Sequence, residues 1–169
     1  MKRLLSLTAL SLSLLSGSTF ASSGEVSYFS WSDDNAASLY LDGGIDNSKG
    51  IIVKIGQSEG GDKRLYINRH YPKGDNFSGC IGKTYEDDIG YLYYEIDNQA
   101  VKMYAFCNTD SSNNNYVSAT PVSNKGQAFL LNKFKSKQYV KIKAVDNLEL
   151  NISAKGFTKA WNSPANNPI

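Results

Sequence analysis

Residues 53–70 read VKIGQSEGGDKRLYINRH, and two folds compete for them. Gly56-Gln57-Ser58-Glu59-Gly60 spells G-x-S-x-G after an apolar run, and His70, the only histidine, follows downstream. A nucleophile elbow needs a strand, a sharp turn bearing the serine, and then a helix whose first amides help hold the oxyanion. The strand is present at residues 51–55. The helix is missing, because Gly61-Asp62-Lys63-Arg64 leads into another strand-like run, Leu65-Tyr66-Ile67-Asn68. Glycines at 56, 60 and 61 suit the loop of a hairpin, and the elbow belongs to a parallel α/β sheet that takes a longer chain. The stretch therefore predicts two antiparallel strands. The competing chemistry is a small secreted hydrolase using His70 with Ser58 or a nearby aspartate, Asp62 or Asp75. Those groups are crowded into one hairpin, where they would struggle to converge.

The same period of two recurs along the chain. Val140, Ile142 and Ala144 alternate with Tyr139, Lys141 and Lys143, and Leu148, Leu150 and Ile152 alternate with Glu149, Asn151 and Ser153. Such alternation marks strands with one buried and one solvated face. Asp146-Asn147 between them tolerates positive φ and suits a tight hairpin. Asp97-Asn98 does the same between residues 91–96 and 99–107, placing Val101, Met103, Ala105 and Cys107 on one face. A third pair, Asp46-Asn47, lies between residues 39–41 and 51–55. Further strands are expected at 26–31, 65–68 and 116–119. Residues 127–137 read as a helix, with Ala128, Leu131 and Phe134 at helical spacing after a turn at 123–126. Residues 153–161 read as another, with Ser153 as N-cap. The expected fold is mainly β: an antiparallel sandwich or open barrel with one or two short helices near the C-terminus.

Lys2 and Arg3, an apolar stretch at 4–15 and Thr19-Phe20-Ala21 predict a secretory signal peptide over residues 1–21. The apolar stretch falls short of the roughly 20 residues that span a bilayer. Residues 22–169 then form a single β-rich domain with a loose tail from about 162, periplasmic or secreted, with no transmembrane segment. The chain carries 18 Lys and Arg against 16 Asp and Glu, and loss of Lys2 and Arg3 makes the mature form neutral. Neutrality argues against a broad nucleic-acid-binding surface. Cys80 and Cys107, in an oxidising compartment, are expected to form a disulfide that closes a loop worth roughly 3.5 kcal/mol.

Candidate sites are few. His70 has no second histidine at zinc spacing, and the acidic groups Asp33-Asp34, Asp42, Asp46 and 86–88 miss the calcium-loop pattern. No metal or other cofactor is expected. Glu86 with Asp88 or Glu95 offers paired carboxylates, whose separation a sequence does not reveal. Tyr91 and Tyr93 oppose Leu92, Tyr94 and Ile96, while Tyr104 and Phe106 oppose Val101, Met103 and Ala105. Those four aromatics are either a cross-strand binding patch on a solvated face, or core of a sheet covered on both sides. The function expected is an exported, non-enzymatic binding protein whose partner is a protein or a glycan.

Residues 129–161, FLLNKFKSKQYVKIKAVDNLELNISAKGFTKAW, resemble the C-terminal part of small exported bacterial β-rich proteins. The likeness lies in a lysine-rich short helix, an alternating strand and the SAKGFTKA segment. A fainter similarity runs to the invasion-associated locus B proteins, which end in a strand and a serine–lysine–glycine–phenylalanine segment. The resemblance implies an exported β-rich fold with no catalytic residue to carry over. In it, Gly156 serves close backbone approach, and Phe157 and Trp161 cap the open end of the sheet.

Overall fold

The computed structural model describes residues 27–29, 31, 36–41, 49–72, 74–83, 87–110 and 113–163. The expected signal peptide at 1–21, the Asp46-Asn47 pair, Glu86 and the tail beyond 163 lie outside them. The described chain is mainly antiparallel β, one nine-stranded sheet in the order β1-β2-β3-β4-β7-β6-β5-β8-β9. The strands are β1 (Ser27–Phe29), β2 (Ala36–Leu41), β3 (Lys49–Gln57), β4 (Lys63–His70), β5 (Asp87–Ile96), β6 (Gln99–Thr109), β7 (Asn115–Pro121), β8 (Tyr139–Lys143) and β9 (Glu149–Ser153). β9 returns to lie beside β2, so the sheet curls into a nearly closed barrel. Of the two architectures the alternation allowed, this is the barrel.

Residues 53–70 form the β3–β4 hairpin, with Ile55 opposite Leu65 and Gly50 opposite His70. At the β5–β6 turn, Asp97 and Asn98 adopt φ of 49° and 66°, so both central residues are left-handed. That is the type I′ geometry whose twist matches the strands. The Asp146-Asn147 turn is wider than the tight hairpin expected. Only Asn147 there has positive φ, and the Ala144 amide donates to the Leu148 carbonyl across the loop. Asp146 is drawn away to pair with Arg69 of β4, its Oδ2 accepting from Nε at 3.0 Å and from Nη2 at 2.5 Å.

Inward-facing side chains form one core. Ile51, Val53, Leu65 and Ile67 meet Met103, Ala105, Val117 and Ala119, with Val140, Ile142, Leu150 and Ile152 completing the wall. Helix α1 (Asn124–Ser136) packs Leu130 and Phe134 into it, and α2 (Phe157–Asn162) adds Phe157. Trp31 locks the two helices together, its ring edge-on to Phe134 at 5.5 Å and to Phe157 at 4.8 Å. Its Nε1 donates to the Ser153 carbonyl at 2.8 Å.

Both helices begin elsewhere than the spacing predicts. α1 starts at Asn124, because Ser123 Oγ accepts from the Gly126 amide and caps it. Its buried stripe is Leu130 and Phe134, with Ala128 outside. Ser153 ends β9 instead of capping α2. The chain turns at Gly156, whose φ of 90° suits a residue without a side chain.

Candidate functional site

The barrel's outer face carries the aromatic residues. Tyr91 and Tyr93 of β5 are 56% and 62% exposed, while Tyr94 and Ile96 on the other face are buried. The register sets Tyr91 opposite Tyr104 and Asp88 opposite Phe106. Ring centroids lie 5.8 Å apart for Tyr91–Tyr104 and 4.8 Å for Tyr104–Phe106. The Lys102 ammonium sits 4.0 Å over the Tyr91 ring. These residues thus form a contiguous cross-strand patch, with Tyr104 and Phe106 half-buried against their neighbours. The Tyr104 hydroxyl donates to Asp88 Oδ2 at 2.5 Å. That bond holds the Asp88 carboxyl below its usual range and raises the Tyr104 hydroxyl. Both groups stay in the forms that keep the bond near neutral pH.

Phe106 also belongs to a groove that continues across the barrel. β4 and β7 pair so that Asn68 faces Ser118 and His70 faces Tyr116, and β7 and β6 pair so that Ser118 faces Phe106. Side chains pointing outward along one row are therefore Asn68, Ser118 and Phe106 in turn. The small Ser118 sits amid Tyr66, Phe106 and Tyr116, and the result is a depression of about 440 Å³. A volume of this order lies within the range of small-molecule sites, roughly 300–1,000 Å³. On its floor, Ser118 Oγ donates to Asn68 Oδ1 at 2.9 Å. Lys54, Glu59 and Asn108 stand around it.

The aromatic walls are braced from behind. A Cβ on Gly56 would come within 3.0 Å of the Tyr66 ring, so the glycine lets that ring lie flat across β3. The Tyr66 hydroxyl donates to the Gln57 carbonyl at 3.0 Å. Burial lifts its pKa above the ordinary tyrosine value, with Arg64 opposing. Behind Tyr116, the His70 imidazole stacks at 4.7 Å with an interplanar angle of 11°. Burial lowers the His70 pKa to about 4, against an opposing pull from Asp110. The imidazole is neutral at physiological pH.

The structure separates Ser58 and Asp62 from His70. Ser58 and Asp62 share the β3–β4 turn, where Ser58 Oγ accepts from the Asp62 amide at 3.2 Å. His70 stands at the far end of β4, opposite Gly50. At about 3.3 Å per residue, that is roughly 20 Å away. The serine is therefore a turn residue, and the imidazole supports an aromatic wall. Cys80 and Cys107 form the expected disulfide, with Cα atoms 5.6 Å apart. It ties the 3-10 turn at Ser78–Cys80 to β6. Among the described residues, no group of three or more His, Cys, Asp or Glu side chains is placed to hold a metal ion, and no helix is long and apolar enough to cross a membrane.

No family model, curated protein or solved structure matches the chain. The resemblance of residues 129–161 stands on those residues alone. Tyr66, Tyr116 and Ser118 escaped the sequence reading, although their outward positions follow from period two. What brings them together is the β4–β7 pairing, which joins strands about 50 residues apart and leaves no local signal.

Proposed function

We propose that the protein is an exported binding protein of the bacterial envelope or extracellular space, without catalytic chemistry, that holds its partner on the outer face of β5 and β6. The observation that supports this most is the solvent exposure of Tyr91 and Tyr93 beside Tyr104 and Phe106. Exposed tyrosines in a contiguous patch supply large contact area with little rotamer entropy to lose, together with a polar tip for hydrogen bonding. Lys102 over Tyr91 keeps one ring in a fixed position before any partner arrives. The partner is a protein or a glycan.

Export rests on residues 2–21, and N-terminal sequencing of the protein recovered from periplasm or medium is expected to begin at Ser22. Binding is tested by affinity capture with the tagged, oxidised mature chain against periplasmic extract and culture medium. A stoichiometric partner lost on Tyr91→Ala and Tyr93→Ala, both surface changes compatible with folding, is the expected result. A partner retained by both variants would move the binding surface elsewhere.

A further inference from the structure

We propose that the depression around Ser118 binds an uncharged, pyranose-based oligosaccharide laid against the rings of Tyr66, Phe106 and Tyr116. This assignment rests on the outer face being a binding surface and extends it, through Phe106, from the β5–β6 patch to a neighbouring depression with its own ligand class. A pyranose has two kinds of surface, a face of C–H bonds and a rim of hydroxyls. Aromatic faces carry negative charge density and accept C–H groups against them. The rim asks for donors and acceptors together, since each hydroxyl is both. Here the three rings supply the first surface. Lys54 can only donate, Glu59 when ionised and Ser118, whose proton goes to Asn68, can only accept, and Asn108 can do both, which supplies the second.

Other small-ligand classes fit less well. Lys54 and Glu59 carry opposite charges, so the depression offers no net field for a phosphate or carboxylate. An aliphatic chain would strip water from Lys54, Glu59 and Asn108 without replacing its hydrogen bonds. A flat protein surface would leave the concave floor unfilled. The rings are also set in advance, Tyr66 by its bond to Gln57 and by Gly56, and Tyr116 by the stacked His70. Walls ordered before binding lose little entropy when a ligand arrives.

The test is a titration of the oxidised mature chain with maltohexaose, cellohexaose, chitohexaose and mannohexaose, followed by two-dimensional NMR of the aromatic side chains. Expected are ligand-dependent shifts at Tyr66, Phe106 and Tyr116 with at least one of these glycans. Tyr66→Ala and Phe106→Ala should each weaken that binding by about tenfold, the value of a lost aromatic contact. Tyr139→Ala, at an exposed position of β8 outside the depression, should leave binding within a factor of about two. No shift at those three rings with any of the four glycans overturns the assignment. Shifts confined to Tyr91 and Tyr93, or protein capture that depends on Tyr93 without any glycan shift, also overturn it while leaving the outer face a binding surface. Absence of both glycan shifts and protein capture removes the two together.

Discussion

At His70, burial behind Tyr116 lowers the imidazole pKa to about 4 from an ordinary 6.5, with Arg69 and Lys54 adding to the effect and Asp110 opposing it. The unfolded chain therefore takes up a proton between pH 6.5 and pH 4 that the folded chain refuses. Stability is full above pH 6.5 and falls as the pH drops through that window. Urea unfolding at pH 7 and pH 4.5 should show a loss of roughly 2–3 kcal/mol from this group. His70→Phe, which keeps a stacking ring and cannot titrate, should flatten that part of the profile; an unchanged slope would assign the acid sensitivity elsewhere. None of this is visible in residues 68–76, NRHYPKGDN, where nothing local marks the histidine as buried. Its burial comes from β7, a strand that only the folded register brings alongside. Arg69 escaped for a similar reason. It faces the core at 1% exposure because Asp146, 77 residues away, neutralises it.

Alternation within each strand was legible, because period two is a local property of the chain. Strand order was not, since β4 pairs with β7 and β5 with β8 across intervening segments. Turn chemistry fell between these cases. Asp97-Asn98 behaves as its residues dictate, while Asp146-Asn147 yields to the demand of a buried arginine. The β5–β6 turn should accordingly tolerate glycine well. Asn98→Gly, at φ 66°, is expected to hold or raise stability by up to about 1 kcal/mol. Asn98→Val, β-branched at a left-handed position, should cost about 1–2 kcal/mol. Thermal melts of the two variants check the pair, and equal effects would contradict the type I′ assignment. The helices illustrate a further limit. A cap depends on which side chain reaches an amide, so Ser123 became a cap and Ser153 did not.

At the scale of the molecule, the described residues form one curled sheet that closes around one core, with two helices and Trp31 packed into it. The Cys80–Cys107 bridge fastens the segment before β5 to the β6 wall. A Cys80→Ala, Cys107→Ala double variant should unfold with roughly 3.5 kcal/mol less stability, seen as a fall in Tm of about 10 °C. A change within about 0.5 kcal/mol would mean that the β-sheet alone orders this region. Closure also explains why the aromatic patch was ambiguous in the sequence. Alternating strands look alike whether a second layer covers their other face or water does, and only the curl of a single sheet leaves Tyr91 and Tyr93 in solvent.

That exposed face is the central claim, and hydroxyl-radical footprinting tests it most directly. The oxidised mature chain would be labelled alone and after mixing with periplasmic extract or culture medium, and oxidation read residue by residue. Tyr139, 55% exposed on β8, serves as a reference outside the patch. The account predicts that Tyr91, Tyr93 and Phe106 become protected in at least one mixture while Tyr139 does not. Protection of Tyr139 with Tyr91 and Tyr93 unchanged in every mixture would contradict it.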